Sequence, residues 1–161
     1  MTGTLALLEE FYRDKLAMLL QHQAGARLIS QYDVNNTYQY IIAREEAQLA
    51  WIAAAIQELG GTLPQVAEPA RRGERGPQET ARRILEEDAR AARDFVDRWR
   101  PRVEAMTHAR HRGMLRVILG ETVEHERFFK QALAGRTDLL GRRAEVIEPA
   151  RGEVLPSRWI E

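Results

Sequence analysis

The sequence predicts an all-α protein, a four-helix bundle made of two antiparallel hairpins joined by a long crossover. Three observations predict it. Apolar residues recur at three- and four-residue spacing through four long segments. Clusters of Gly, Pro and turn-forming residues break that pattern at only a few places before residue 135. The connections run short, long, short, so each hairpin closes on itself and the crossover carries the chain between them.

The 161 residues suit one domain that buries its core without staples. The 24 basic and 24 acidic side chains cancel, which gives no bulk attraction to nucleic acid or to an anionic membrane. With no cysteine, disulfides, thiolate catalysis and cysteine-based metal sites are excluded, while four His and many carboxylates leave hard-ligand metal chemistry open. The first ten residues lack the basic start and apolar run of a signal peptide, and no later run approaches the ~18 apolar residues of a membrane helix. A soluble, cytoplasmic protein with neither a nucleic-acid nor a membrane partner is the expectation.

The first helix is predicted from Thr4 to about Tyr32, with Leu7, Phe11, Met18 and Tyr32 at helical spacing. Asp33 to Thr37 reads as a turn and N-cap. The second helix then carries Tyr38, Ile41, Ile42, Leu49, Ile52, Ile56 and Leu59 and stops at Gly60-Gly61. Residues 62–77 hold three prolines, two glycines and Arg71, Arg72 and Arg75, which reads as a loop. Its reach of about 50 Å spans a bundle of this helix length. The third helix is predicted from about Gln78 to Arg100 or a few residues further, with Ile84, Ala91, Phe95 and Trp99 on one side and Pro101 as a kink or an end. Thr107 is the expected cap of the fourth helix, which carries Met114, Val117, Ile118, Phe128, Phe129 and Leu133 before Gly135. Residues 1–135 thus form the bundle. Residues 136–161 form a tail expected to pack on it or on a neighbouring subunit, and apolar Trp159 and Ile160 favour a homo-oligomer, in the simplest case a dimer.

Acids fall on these apolar seams. In the second helix the series Tyr38, Ile41, Glu45, Gln48, Ile52, Ala55, Leu59 alternates steps of three and four, which places Glu45 and Gln48 mid-seam. The fourth helix repeats the arrangement as Met114, Val117, Glu121, Glu124, Phe128. The third helix offers either Glu87, between Ile84 and Ala91, or Asp88, between Leu85 and Ala92. In the first helix the stripe Leu7, Phe11, Asp14, Met18 turns Asp14 inward, with Glu10 one turn earlier. An unpartnered buried carboxylate costs several kcal/mol, so these acids need cations, protons or metal.

In this layout the chain resembles the ferritin-like superfamily and, within it, the rubrerythrin-like proteins. The segment Glu45-Glu46-Ala47-Gln48, closing at Glu58-Leu59-Gly60-Gly61, is similar to the family's second-helix motif, and Glu121-Thr122-Val123-Glu124-His125 to its fourth. The family's di-iron site takes one Glu from each of two helices and a Glu-x-x-His pair from each of the others. The resemblance, over residues 4–135, implies metal ligands Glu45, Glu87, Glu121, Glu124 and Asp14 or Glu10, two iron or manganese ions, and oxygen, peroxide or iron chemistry. The chain departs from the family where it carries Gln48 and Glu124 in place of the two histidines. His125 stands one residue late, about 100° round the helix. His22, near the middle of the first helix, is an ordinary amphipathic residue or a ligand of an altered site. His108 and His111, among Arg110, Arg112 and Arg116, read as a solvated face.

Two main functional classes follow, with a small-ligand module using the polar pocket between the helices as a third. One is a dinuclear metal protein. The other is a metal-free ferritin-like scaffold or interaction protein whose site is degenerate. For the second, replacing Glu45 and Glu121 by Gln is expected to leave stability equal or improved, because buried charge is removed.

Overall fold

The structure, a computed structural model, describes residues 2–136, 139 and 140, and these contain four α-helices: α1 Thr2–Ala26, α2 Tyr32–Glu58, α3 Pro77–Glu104 and α4 Ala109–Leu133. The all-α bundle of two hairpins is therefore the fold. The pairs α1/α2 and α3/α4 pack most closely, α2 lies against α4, and α1 lies against α3. Residues 59–76 run from the start of α1, where Glu9 accepts from the Thr62 amide, to its end, where Arg71 donates to the Gln21 carbonyl. The crossover thereby makes α2 and α3 parallel, so every neighbouring pair of helices is antiparallel. No helix among the described residues is long and apolar enough to cross a membrane.

Two helix boundaries differ from the sequence reading, each for a local reason, and a third is settled between alternatives. The turn lies at 27–31 rather than at 33–37, so Tyr32 and Asp33 open α2. Asn35 explains it: from the first turn of α2 its Nδ2 donates to the carbonyls of Ala26 (2.8 Å) and Ile29 (3.0 Å), capping the end of α1 across the turn. Of the two alternatives at Pro101 the helix takes the longer: α3 continues a few residues past it, to Glu104, because Trp99 and Val103, both fully buried, anchor the chain on each side. The cap of α4 is His108, not Thr107; its Nδ1 accepts from the His111 amide. Gly60 and Gly135 end α2 and α4 with φ of 81° and 96°, a conformation that favours glycine.

The buried side chains form two apolar clusters. One holds Leu8, Phe11, Ile52, Phe95, Trp99 and Leu115; the other holds Tyr38, Ile41, Leu49, Ile84, Leu85 and Phe129. At about 1.5–3 kcal/mol for each large apolar side chain, these two clusters are the main source of stability. Along α1, α2 and α4 the residues between them are polar: Lys15 and His22, Glu45 and Gln48, Thr122 and His125, all at most 2% exposed. The expected tail, residues 136–161, falls almost wholly outside the described residues; of its start, Leu139 is buried and Leu140 exposed.

Candidate functional site

The polar layer is built around Glu45, which α2 places fully buried at the bundle axis. Its Oε2 lies 3.3 Å from Lys15 Nζ and its Oε1 2.8 Å from His22 Nδ1, both partners coming from α1. A carboxylate only accepts, so Nδ1 of His22 carries the proton. The Lys15 ammonium has three donors, and all three find acceptors: Glu45, Thr122 Oγ1 at 3.2 Å and the Met18 sulfur at 3.7 Å. The Phe95 ring faces the same ammonium at 5.3 Å from its centroid.

The electrostatics follow from these contacts. Burial pushes the Glu45 carboxyl up, but the opposing charges of His22 and Lys15 hold it down, to about 2. Burial opposes protonation of His22, and the adjacent Glu45 overrides it, so His22 is shifted toward its charged form. His125 is the opposite case: burial, then the Lys15 charge, lower it to about 4. This leaves His125 neutral, and among the described residues its Nδ1 and, in the same layer, Gln48 Oε1 have no hydrogen-bond partner.

A second network closes the end of the bundle nearer the α1/α2 turn. Tyr38 donates to Asp88 Oδ2 at 2.6 Å, and burial and then the Asp88 charge keep that phenol well above its ordinary range. Arg71 reaches in from the crossover, pairing with Asp88 at 3.1 Å and with Glu87 at 3.0 Å. Its guanidinium lies against Gly25, where an added Cβ would come within 2.8 Å of Nη1.

The six acids singled out as ligands are distributed among separate ion pairs. Glu45 is taken by Lys15 and His22. Glu121 is held bidentately by Arg44 (3.0 and 2.8 Å) and by Gln48 (2.7 Å), and stands partly exposed. Glu87 is on the outer side of α3, bonded to Arg71 and Arg83. Glu124 pairs with Arg127. Asp14 accepts from Arg98 and from Trp99 Nε1, and Glu10 from Arg102, all on the α1/α3 flank. Only Glu45 and Glu121 approach one region of the core, and each has both oxygens engaged. Among the described residues no group of three or more His, Asp or Glu is placed to hold a metal ion. An ammonium beside the central carboxylate is also the wrong chemistry for a cation site, so these residues do not fit a dinuclear centre.

Two helices are rotated from the expected face by about one residue. In α4 the buried stripe is His111, Leu115, Ile118, Thr122, His125, Phe129, whereas Val117, expected inside, is 51% exposed. The observed stripe buries Leu115, Ile118 and Phe129 in place of Met114, Val117 and Phe128, a larger apolar gain. In α1 the stripe is Leu8, Phe11, Lys15, Met18, His22 rather than the one through Asp14. In α3 the alternative through Leu85, Asp88 and Ala92 is the buried one, while Ala91 and Glu87 face outward. Leu59 at the end of α2 is exposed, and His111, expected on a solvated face, is buried and stacked 4.0 Å from His108. Lys15 is the residue that sequence reasoning missed. Its signal was present, since 8, 11, 15, 18, 22 alternates three and four without a break.

The fold and the site together define a four-helix bundle with an internally compensated charged layer. Neither a protein-family model, nor a curated protein, nor a solved structure matches the chain.

Proposed function

We propose that this chain is a metal-free scaffold or interaction protein of ferritin-like plan, in which the Lys15 ammonium replaces the metal charge that the carboxylates of such a bundle would otherwise need. The observation that carries the reading is the Lys15–Glu45 pair, buried to 0% on both sides, with all three ammonium donors used. A divalent ion beside Glu45 would have to displace that ammonium into an apolar core or strip its proton, either at a cost of several kcal/mol. The compensation extends outward, as Arg44 neutralises Glu121 and Arg71 neutralises Asp88. No polar group in the layer is both activated and reachable from solvent, which favours a structural over a catalytic role for it.

Metal analysis of protein produced with added iron and manganese tests the reading. It predicts well under one equivalent of either metal per chain and an unchanged melting temperature on metal addition, since a ligand that binds only the folded state would raise it. Two equivalents with a raised melting temperature would restore the dinuclear alternative.

A further inference from the structure

We infer that the outer face of the α1/α2 hairpin is the contact surface of a homodimer, a reading that gives the interaction role proposed above its partner. The four helices do not clothe their outer sides alike. The outer side of α3 is densely charged, with Glu79, Arg82, Arg83, Glu86 and Arg90 exposed, and most of its arginines are paired within the chain. The outer side of α2 instead exposes Ala43, Ala50 and Ala54, with Glu46 as its one charge between Arg44 and Glu58, while Trp51 lies toward α4 under the Arg44 guanidinium that pairs with Glu121. Beside it, α1 leaves Leu16 and Leu20 half-buried. Between the two helices an open groove of about 710 Å³ runs past Gln23, Arg27, Ile42, Ala43 and Glu46.

Charge and area select a second copy as the occupant. On this face the side chains of Arg13 on α1, Arg27 just beyond its end and Glu46 on α2 make no ion pair or hydrogen bond among the described residues, Arg13 acting on Glu10 of its own helix only through its charge. Lys15 and His22 both reach Glu45, which sets Arg13 and Glu46 within about two turns of the same level. A two-fold axis along the hairpin lays α1 of one copy over α2 of the other and brings Arg13 toward Glu46 of the partner subunit twice. Such an isologous contact is the commonest way soluble chains associate. The 27 residues of α2 extend about 40 Å, and two helices about 10 Å apart make a face of roughly 800 Å², the area each partner contributes to a standard stable interface.

Sedimentation of the full chain and of surface variants tests this. The wild type is expected at twice the chain mass at micromolar concentration and above. Ala50→Arg, which sets an unpaired charge at the centre of the face, should raise the dissociation constant by at least about a hundredfold. Arg13→Glu should weaken the dimer, and Arg13→Glu combined with Glu46→Arg should restore it, whereas Ala91→Arg on the outer side of α3 should change nothing. Unchanged melting curves identify the surface variants that remain folded. A single-chain mass at every concentration overturns the inference, whether the chain's own C-terminal residues or a different protein covers the face. A dimer indifferent to Ala50→Arg overturns it as well, because the contact then lies elsewhere. Metal content of the same preparations separates the two proposals: a metal-loaded dimer defeats only the metal-free reading, and a metal-free monomer defeats only this one.

Discussion

Glu45 reverses an intuition about buried acids. Read alone on an apolar seam, it is a charge whose removal should help. Set between Lys15 and His22, it is what keeps a fully buried ammonium tolerable. Glu45→Gln leaves Lys15 without its counter-charge, and removing one member of a buried pair costs about 3–5 kcal/mol. Chemical denaturation should therefore show a large loss for Glu45→Gln, contrary to the expectation drawn from the sequence. Lys15→Met with Glu45→Gln removes both charges while keeping the side-chain volumes close, and should recover most of that loss. A double-mutant cycle measures the difference as a coupling energy. A coupling below about 0.5 kcal/mol would show that the two side chains do not compensate one another.

At the scale of the helix, the crossover is fastened by one side chain. Arg71 carries its guanidinium from residues 59–76 into the α1/α3 flank, where it bonds Asp88, Glu87 and the Gln21 carbonyl. It fits because residue 25 has no side chain. Gly25→Ala would bring a Cβ to 2.8 Å from Arg71 Nη1 and 3.0 Å from Ile84 Cγ2, so one of them must move. A loss of about 1–3 kcal/mol is expected, although alanine is the better helix former. Arg71→Ala should lose at least as much, since it leaves Asp88 with Tyr38 as its one hydrogen-bond partner among the described residues, and should speed proteolytic cleavage within 62–76. Equal cleavage rates in Arg71→Ala and wild type would refute the fastening role. Much of this level was legible in the sequence. The number of helices, their short, long, short connections and the seam of α2 follow from periodicity and turn residues. The faces of α1 and α4 did not, because both helices offer two competing stripes. A Lys on a seam looks implausible until its counter-ion, thirty residues away, is known. Only packing against the other helices decides between stripes that differ by one residue.

Across the whole molecule, the histidines set how stability depends on pH. His22 and His125 lie in one polar layer and are shifted in opposite directions. His22 is raised by Glu45, so its contribution is fully present below the unfolded value of about 6.5 and is lost as pH rises through the higher folded value. His125, lowered to about 4, prefers to be neutral when folded. Its contribution is present above about pH 6.5 and is lost as pH falls toward 4, at up to about 1.4 kcal/mol per unit and about 3 kcal/mol in all. His111, lowered by burial and by His108, adds to the same acid limb. Glu45, held at about 2, adds a further loss only between about pH 4.5 and 2. The stability of the chain should therefore peak near pH 6.5 and fall on both sides. Denaturation midpoints measured from pH 4 to 8 check the shape, and His125→Phe isolates its cause, because a ring that cannot be protonated should flatten the limb between pH 6.5 and 4 while leaving the alkaline side unchanged. A His125→Phe profile that stays parallel to the wild type through that window would show that the acid loss arises elsewhere in the bundle.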